Sequence, residues 1–528
     1  MREKTVDAIV VGAGFGGLYA LHRLRGLGLR VQGIERGSGV GGTWFWNRYP
    51  GCRCDVESME YSYQFSDDLQ QEWSWSERYS AQPEILAYAE HVAERFDLYP
   101  LIRFSTSVTS AYFIEDAGHW EVIAGGETWR ARYVVMATGC LSTANLPDFP
   151  GRESFAGRSF HTGAWPPEGV DFSGRDVAVI GTGSSAIQSI PIIAREARTL
   201  TVFQRTPNYS VPAQNGPIDE ALAARIKASY PEFRARAWEQ PAAFGPDYPR
   251  HPDSVLDATP EERQRRFETH WELGGFMFLG AFADLSLSEE ANAYAAEFVR
   301  SKIRSIVHDP ATAELLCPDT PIGCKRLCAD TGYFETYNRD NVHLVDVSEH
   351  QIERITPEGL VTGGKTFEVD DIVFATGFDA MTGTLLKMDI RGRGGLTLEE
   401  KWAAGPRTYL GLMTAGFPNL FLVTGPGSPS VLANMITGVE QHGDFIAELI
   451  SWADAPVLEA ERDAEDAWVG VVNERGDKTL YPRCNSWYLG ANVPGKPRVF
   501  MPYVGFPSYI EAIDEIRKHG YPGFKVSA

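Results

Sequence analysis

Two glycine-rich turns, each preceded by a short apolar strand, constrain the fold of this chain more than any other feature. The first turn, residues 12–17, reads GAGFGG, and the second, residues 181–186, reads GTGSSA. Glycines at these positions permit a tight turn, a close approach of the backbone to a pyrophosphate, and packing of the next helix on the sheet. Two such turns predict two dinucleotide-binding units, and hence two nucleotide cofactors that exchange electrons.

The residues around both turns repeat one pattern, in which a strand leads into the turn, a helix follows, and a second strand comes next. These segments are 8–11, 17–27 and 31–35 around the first turn, and 177–180, 185–197 and 200–204 around the second. The sequence therefore predicts an α/β fold with two Rossmann-like dinucleotide-binding domains.

The chain also indicates where it passes between the two domains. Two strand endings are nearly identical, VVMATG at 134–139 and IVFATG at 372–377. The stretch after the second unit is richer in charge and in helix formers, which predicts a helical insertion. The predicted divisions are a first domain of residues 1–140 and 378–528, a second domain of 141–208 and 326–377, and an insertion of 209–325 in the second domain.

Composition narrows the choice of partners. The 528 residues include 49 basic and 70 acidic side chains, for a formal net charge of −21. This charge argues against binding to nucleic acids or anionic membranes, both of which need basic surface, and no apolar run reaches the length of a membrane span. A strand that starts near the first residues predicts no signal peptide. We therefore expect a cytoplasmic protein, a monomer or weak oligomer, with small-molecule partners.

The seven cysteines do not form a zinc-binding pattern. Zinc sites usually need four well-spaced ligands, and no such set is found, so no metal site is predicted. In a reducing cytoplasm, cysteines are expected to stay free thiols.

The first turn and its surroundings predict an FAD pocket. Gly12, Gly14 and Gly17 fit the turn, the phosphate approach and the helix packing, and the helix N-terminus offers free N–H groups to phosphates. Glu35, at the end of the next strand, is expected to accept a hydrogen bond from a ribose hydroxyl. Gly42 ends a Gly-Gly pair that, in flavoproteins with two dinucleotide sites, lets the backbone close over the flavin; the alternative for this pair is a plain loop.

The second turn predicts an NADPH pocket. Gly181 and Gly183 repeat the fingerprint, with alanine in place of the last glycine. Where the first unit has a carboxylate, the second has Arg205, and a guanidinium can hold a 2′-phosphate that a carboxylate would repel. The alternative for this arginine is a side chain that only caps a strand.

A motif between the two units carries a specific resemblance. Phe155, Gly157, His161 and Trp165 stand in the pattern FxGxxxHxxxWP. This pattern resembles the signature of type I Baeyer–Villiger monooxygenases, which are class B flavoprotein monooxygenases. The resemblance covers essentially the whole chain and is closest to the phenylacetone and steroid monooxygenases. It includes GGTW at 41–44, WNRYPG at 46–51, CDVES at 54–58, YNRDNV at 337–342, GPGSP at 425–429 and SVLANM at 430–435.

The resemblance implies a complete reaction. FAD stays bound, NADPH reduces it, and O2 adds to give a flavin C4a-peroxide that inserts one oxygen atom beside a ketone carbonyl. The product is an ester or lactone, and bulky hydrophobic ketones (aryl, cyclic or steroid) are the implied substrates. Two alternatives remain: oxidation of nitrogen or sulfur atoms by a related flavin monooxygenase, and a redox sensor that binds both cofactors without oxygenating anything.

The resemblance also assigns roles to single residues. Arg326 matches the active-site arginine of the family, and Asp55 matches its partner carboxylate in the flavin site. From the residues alone, a structural ion pair between domains would be the preferred interpretation. Lys325 is expected to add positive charge near the 2′-phosphate beside Arg205, and Trp487 matches a residue on a segment that closes over the nicotinamide nucleotide.

The remaining predicted residues surround these two pockets. Leu432 and Met435 are expected to be apolar walls of the substrate pocket, although a loop without ligand contact is the alternative. His161 is expected to act as a conformational relay rather than as a general base. The other predicted cofactor-binding residues are Thr43, Trp44, Ser184, Ser185, Gln188 and Thr206.

Overall fold

The computed structural model describes residues 4–453 and 455–527. In its largest sheet, one strand leads directly into the first glycine-rich turn. The central strands of this sheet are parallel, and three neighbouring strands form an antiparallel meander. In order across the sheet the strands are Asp389–Arg391, Val108–Ile114, His119–Ala124, Glu127–Met136, Lys4–Val11, Val31–Ile34 and Ile102–Arg103, and Leu420–Leu422 also pairs with Glu127–Met136.

Helices cover both faces of this first sheet and bury its apolar side chains. The helix Phe15–Gly26 packs against Met435–Trp452, and both contribute to the core of the first unit. The helices of this part are Phe15–Gly26, Thr43–Trp46, Asp67–Glu72, Gln82–Arg95, Gly383–Leu386, Leu398–Lys401, Met435–Trp452, Arg462–Asp477 and Phe506–Lys518, and the strands Val457–Ala460 and Phe524–Ser527 form a separate antiparallel pair.

The second sheet is parallel throughout and contains the second glycine-rich turn. Its strands, in order, are Val342–Asp346, Thr199–Gln204, Asp176–Ile180, Asp371–Phe374 and Arg158–His161, with the helices Ser184–Glu196 and Tyr333–Thr336 beside it. A three-stranded antiparallel sheet of Ile352–Thr356, Gly359–Thr362 and Lys365–Glu368 adjoins this unit. The predicted fold class, two Rossmann-like units in an α/β protein, is confirmed.

Both glycine-rich turns pack in the same way on the strand endings that share the Ala-Thr-Gly sequence. Gly12 has φ 104°, and a Cβ atom there would lie 2.5 Å from the carbonyl oxygen of Ala137. Gly181 has φ 113°, and its Cβ atom would lie 2.5 Å from the carbonyl oxygen of Ala375. Only glycine fits such a backbone conformation and such a close contact, so each turn and each strand ending are fixed together.

The stretch between residues 209 and 325 is mainly helical, as predicted. Its helices are Glu220–Ala228, Tyr230–Trp238, Pro260–Leu273, Glu289–Ile306 and Pro310–Leu316. The short strands Ser210–Pro212 and Cys328–Asp330 pair in parallel and bring the two ends of the stretch together. Ile226, Tyr230 and Phe233 pack in the core of the first unit rather than the second. The exact domain limits given above stay a prediction.

The cysteines differ in part from the sequence prediction. Cys324 and Cys484 form a disulfide across 160 positions, so the expectation of free thiols is wrong for these two residues. Sequence reasoning missed the pair because only the folded chain brings the two segments together. The other five cysteines are free, as Cys317 illustrates. Within the described residues, no helix combines the length and apolar character needed to cross a bilayer.

A buried carboxylate ties the second sheet together at its edge. The Asp371 side chain is fully buried and accepts hydrogen bonds of 2.6–3.0 Å from Arg158 and Arg175. Burial alone would raise the pKa of Asp371, but the two guanidinium groups outweigh it and hold that pKa below its usual value. The contact therefore stabilises the fold at neutral pH and is lost as the pH falls through the lowered pKa.

We expect Asp371→Asn to destabilise the protein by about 2 kcal/mol, because hydrogen bonds to charged groups each contribute about 1.5–3 kcal/mol. Thermal unfolding at pH 7 measures the effect, and the difference from wild type should shrink at acidic pH. The matched control is Glu474→Gln, which removes an exposed carboxylate paired with Lys478 and should leave the melting temperature unchanged. Equal melting temperatures for the two variants would contradict the assignment.

Candidate active site

One cavity of about 1280 Å³ joins the two glycine-rich turns. Most of the predicted site residues line it, although they come from segments far apart in the sequence. The predicted residues on its wall are Gly12, Gly14, Glu35, Gly42, Thr43, Trp44, Asp55, Gly181, Gly183, Ser184, Ser185, Gln188, Arg205, Thr206, Lys325, Arg326, Met435 and Trp487. The structure thus gathers both pockets and the catalytic candidates around one space.

The first half of the cavity has the shape of a dinucleotide cradle. Gly14 caps the helix Phe15–Gly26 without any side-chain hydrogen bond, so the first N–H groups of the helix stay available to phosphate oxygens. A Cβ atom on Gly42, which has φ 55°, would lie 2.8 Å from the Cα atom of Gly14. The two glycine segments therefore meet backbone to backbone. Gly17 does not reach the wall, because it faces the carbonyl oxygen of Gly12 at the helix–sheet contact.

Glu35 is buried at the end of its strand and has two partners already. Its carboxylate accepts hydrogen bonds from the N–H groups of Ala13, at 2.8 Å, and Gly37, at 2.6 Å. Each carboxylate oxygen keeps a further lone pair, and the side chain lies on the cavity wall. Glu35 therefore fixes the first turn and still has acceptor capacity for a ribose hydroxyl.

The second half of the cavity repeats the cradle and adds positive charge. Gly183 caps the helix Ser184–Glu196, again without a side-chain hydrogen bond. Arg205 is exposed and, within residues 4–453 and 455–527, has no ion-pair partner. Burial, and then repulsion by Arg205, lowers the pKa of Lys325 on the same wall. Asp319 partly offsets this shift, and the two neighbouring cations fit a phosphate group.

Arg326 lies where the two halves of the cavity meet. Its Nε and Nη2 atoms donate to the two oxygens of Asp55, each at 2.8 Å, and its Nη1 atom donates to the carbonyl oxygen of Val431 at 2.8 Å. Burial alone would lower the pKa of this guanidinium, but the charge and hydrogen bonds of Asp55 hold it well above its usual value. Phe276 lies against the guanidinium, 4.9 Å from it. Arg326 is thus a permanent, oriented cation.

A segment with little regular structure covers part of this site. Residues 481–504, here called the Trp487 segment, contain only the short 3-10 turns Tyr481–Arg483 and Trp487–Leu489 among the described helices and strands. Trp487 lines the cavity, and Tyr488 beside it is buried, which raises the pKa of its hydroxyl, while the charge of Arg326 acts in the opposite direction. Asn492 donates to the carbonyl oxygen of Phe378 at 2.6 Å, where the chain returns from the second unit.

The signature residues lie outside the cavity, at the junction of the two units. His161 ends the strand Arg158–His161, and its Nδ1 atom accepts a hydrogen bond from the N–H of Gly163 at 2.9 Å. Its Nε2 atom lies 3.4 Å from the hydroxyl of Thr376, in the second Ala-Thr-Gly ending. Burial lowers the pKa of His161, so the ring is neutral at pH 7. It touches the strand endings and not the cavity, which agrees with a positioning role.

The other signature residues are also structural. Trp165 is buried in the core of the second unit, and Phe155 packs beside the smaller cluster of that unit. A Cβ atom on Gly157 would lie 2.2 Å from the carbonyl oxygen of Asp370. The motif therefore shapes the linker between the two units.

The two predicted substrate-pocket residues separate in the structure. Met435 lies on the cavity wall, but Leu432 packs in the neighbouring apolar cluster and does not line the cavity. The short 3-10 turn Ser430–Leu432 places Val431 on the wall instead. The sequence prediction treated these positions as a loop, because no sequence pattern indicated this turn.

Two contacts in the site were not predicted. Tyr488 follows Trp487 directly and is influenced by the charge of Arg326. Tyr49 donates from its hydroxyl to the side-chain oxygen of Gln188 at 2.8 Å. Tyr49 belongs to the WNRYPG segment, and the match of this segment to the family could have indicated Tyr49 as a site residue. This hydrogen bond joins the first unit to the helix that follows the second turn.

Comparison with known proteins agrees with this geometry. The pyridine nucleotide-disulphide oxidoreductase family matches residues 9–230. A Baeyer-Villiger monooxygenase of Pseudooceanicola batsensis is 45% identical over 98% of this chain and 97% of its own length. A phenazine N-monooxygenase of Lysobacter antibioticus is 42% identical over 99% and 97%.

A solved structure is also similar to this chain in sequence and fold. The oxidized steroid monooxygenase bound to NADP superposes with a TM-score of 0.94 at 52% identity, over 99% of each chain. Similarity at this level over nearly the full length confirms the family that the sequence motifs indicated. The chain belongs to the Baeyer–Villiger monooxygenases.

Proposed function

We propose that this enzyme inserts one atom of O2 beside the carbonyl group of a bulky hydrophobic ketone and releases an ester or lactone. Its cofactors are FAD and NADPH. The observation that carries the proposal is the Arg326–Asp55 pair, which presents a fixed cation at the meeting point of two dinucleotide cradles. FAD, when bound, supplies the electrons that activate oxygen.

Arg326 has donors to spare for a reacting carbonyl group. A guanidinium carries five N–H groups, and Asp55 and Val431 take three of them. The other two are available to a ligand. When the carbonyl carbon of a ketone is attacked, its oxygen gains negative charge, and an oriented cation stabilises that charge. Asp55 keeps the guanidinium in this orientation.

The proposed substrate class rests on the apolar part of the wall. Val431, Ala433 and Met435 lie on it near Arg326, and an unbranched methionine adapts to irregular ligand shapes. Trp487 adds a large aromatic surface that excludes water from the reacting atoms. These contacts favour an aryl, cyclic or steroid ketone over a small polar one.

A second candidate function is oxidation at nitrogen. It is favoured by the phenazine N-monooxygenase among the relatives. In oxidation of an amine, the nitrogen is itself the nucleophile and no negative carbonyl oxygen develops, so this reaction needs Arg326 less than ketone oxygenation does. The two candidates differ in product, an ester against an N-oxide, which mass spectrometry and NMR distinguish.

We also propose a cellular compartment and an oligomeric state for the protein. Apart from the bonded pair Cys324 and Cys484, the cysteines are free, and these five support a reducing compartment such as the cytoplasm. Within the described residues, few large apolar side chains are exposed, among them Leu27, Leu256 and Val526. Large exposed apolar patches mark interaction sites, so the small number of exposed apolar side chains supports a monomer or weak oligomer.

Arg326→Ala should lower the rate of ester formation by about 100- to 1000-fold, the usual effect of removing an oxyanion donor. Reduction of the flavin by NADPH should persist, because it develops no charge on the ketone. Stopped-flow absorbance follows reduction, and gas chromatography follows the ester. The control is Arg339→Ala, at an exposed position outside the cavity. A wild-type ester rate in the Arg326 variant would remove this residue from the reaction.

Arg205→Ala should raise the KM for NADPH by about 10- to 100-fold, since hydrogen bonds to charged groups contribute about 1.5–3 kcal/mol. The KM for NADH should change little, because NADH has no 2′-phosphate. Steady-state kinetics with both nucleotides measures the two effects. Arg198→Ala removes an exposed arginine of the same unit that pairs with Asp176 and serves as the control. An equal rise for NADPH and NADH would contradict the assignment.

Lys325 should make NADPH binding depend on pH. Because burial and Arg205 lower its pKa, the side chain loses its charge at a lower pH than an ordinary lysine. We expect the KM for NADPH to rise as the pH increases through that pKa, while the KM for NADH stays flat. Lys325→Arg keeps the charge and should abolish the rise. A rise that persists in this variant would assign the pH dependence to another group.

A further inference from the structure

The disulfide between Cys324 and Cys484 joins two segments that both reach the active site. Their Cα atoms lie 6.1 Å apart, and both side chains are buried, at 1% and 7% exposure. Cys324 precedes Lys325 and Arg326 directly, and Cys484 lies three residues before Trp487. One covalent bond therefore connects the loop that carries the catalytic cation to the segment that covers the cavity.

The other contacts of the Trp487 segment are non-covalent. Tyr488, Phe500 and Met501 are buried in an apolar cluster, and Lys496 donates to the partly buried Asp379 at 2.6 Å. Arg483, next to Cys484, pairs with Glu289 at the surface of the insertion, 3.1 Å apart, with both side chains more than half exposed. Exposed ion pairs contribute little stability, so without the disulfide the end of the segment near Cys484 is held mainly by packing.

We propose that Cys324 and Cys484 form a reversible redox-modification site, whose oxidant is hydrogen peroxide and whose reductant is a low-molecular-weight thiol. In the disulfide form the Trp487 segment is fastened over the nucleotide pocket, and NADP⁺ leaves slowly. In the dithiol form the segment opens more readily, and the nucleotide exchanges faster. This inference rests on the proposed use of NADPH and O2 only for the source of the peroxide.

The chemistry balances without any further reagent. One cysteine thiolate attacks an oxygen of hydrogen peroxide, the O–O bond breaks, and a sulfenic acid and one water form. The second thiolate attacks that sulfur, the S–O bond breaks, and a second water leaves. Two thiols thus lose two electrons and two protons, and one peroxide becomes two waters. The peroxide itself comes from NADPH oxidation that fails to oxygenate a substrate.

Two cationic residues follow Cys324 in the sequence, and cations close to a reduced cysteine favour its reaction. A thiolate is the reactive form of cysteine, and neighbouring cations stabilise it. Lys325 and Arg326 follow Cys324 directly, and their side chains line the cavity where peroxide would be released. Among the free cysteines, Cys317 offers a comparison, because it is more accessible than either member of the pair but is not disulfide-bonded.

The first test measures thiol oxidation directly. The wild-type holoenzyme is reduced with dithiothreitol, desalted, and treated with hydrogen peroxide, and the free thiols are labelled and mapped by peptide mass spectrometry. We expect Cys324 and Cys484 to lose their labels together and to regain them on renewed reduction, while Cys317 stays labelled. Unchanged labelling of the pair, or oxidation that dithiothreitol does not reverse, would overturn the proposal. No ketone is present, so this result is independent of the proposed reaction.

The second test measures the consequence for the nucleotide. The oxidised wild-type enzyme should release NADP⁺ about tenfold more slowly than the reduced one, since a tether keeps the segment at a high effective concentration. Cys484→Ser should release NADP⁺ at the fast rate whether or not peroxide is added, and Cys317→Ser should behave like wild type. Equal release rates for the oxidised and reduced wild type would refute the clamp, and this comparison needs no variant to fold.

Discussion

The ion pair between Arg326 and Asp55 is the interaction on which the site depends. It joins side chains 271 positions apart and lies where the two nucleotide cradles meet. A guanidinium that is three-quarters buried carries a desolvation penalty if it has no partner, so the fold needs Asp55 to keep this cation inside. The same hydrogen bonds leave only part of the guanidinium free and fix its direction. The same ion pair therefore stabilises the cation inside the protein and orients it for the reaction.

Nucleotide binding in this protein depends on local geometry rather than on overall charge. The chain carries a net charge of −21, yet its two cofactors are both anionic. The helices that begin after Gly14 and Gly183 have N-termini without a side-chain cap. These N-termini supply partial positive charge at the positions where the glycine turns let phosphates approach. Arg205 and Lys325 add full charges in the second pocket only. The second pocket thus adds these two cations to a backbone design that it shares with the first.

The sequence predicted best what depends on short-range geometry. The strands, helices and cradles around Gly12 and Gly181 follow from glycine spacing and apolar patterning, which act within about twenty residues. The pairing of Arg326 with Asp55 came from the family resemblance, because no local pattern relates such distant positions. The disulfide of Cys324 with Cys484 was missed for the same reason.

The packing partners of the insertion were also not predictable from the sequence. Its helices were expected from composition, but their partners depend on surface shape that the sequence does not display. Ile226, Tyr230 and Phe233 leave the second unit and pack in the core of the first, while Phe276 reaches the guanidinium of Arg326. A site built between units must admit a nucleotide and then exclude water. A cover with few regular hydrogen bonds, such as the Trp487 segment, can do both, because its opening does not require the two sheets to come apart.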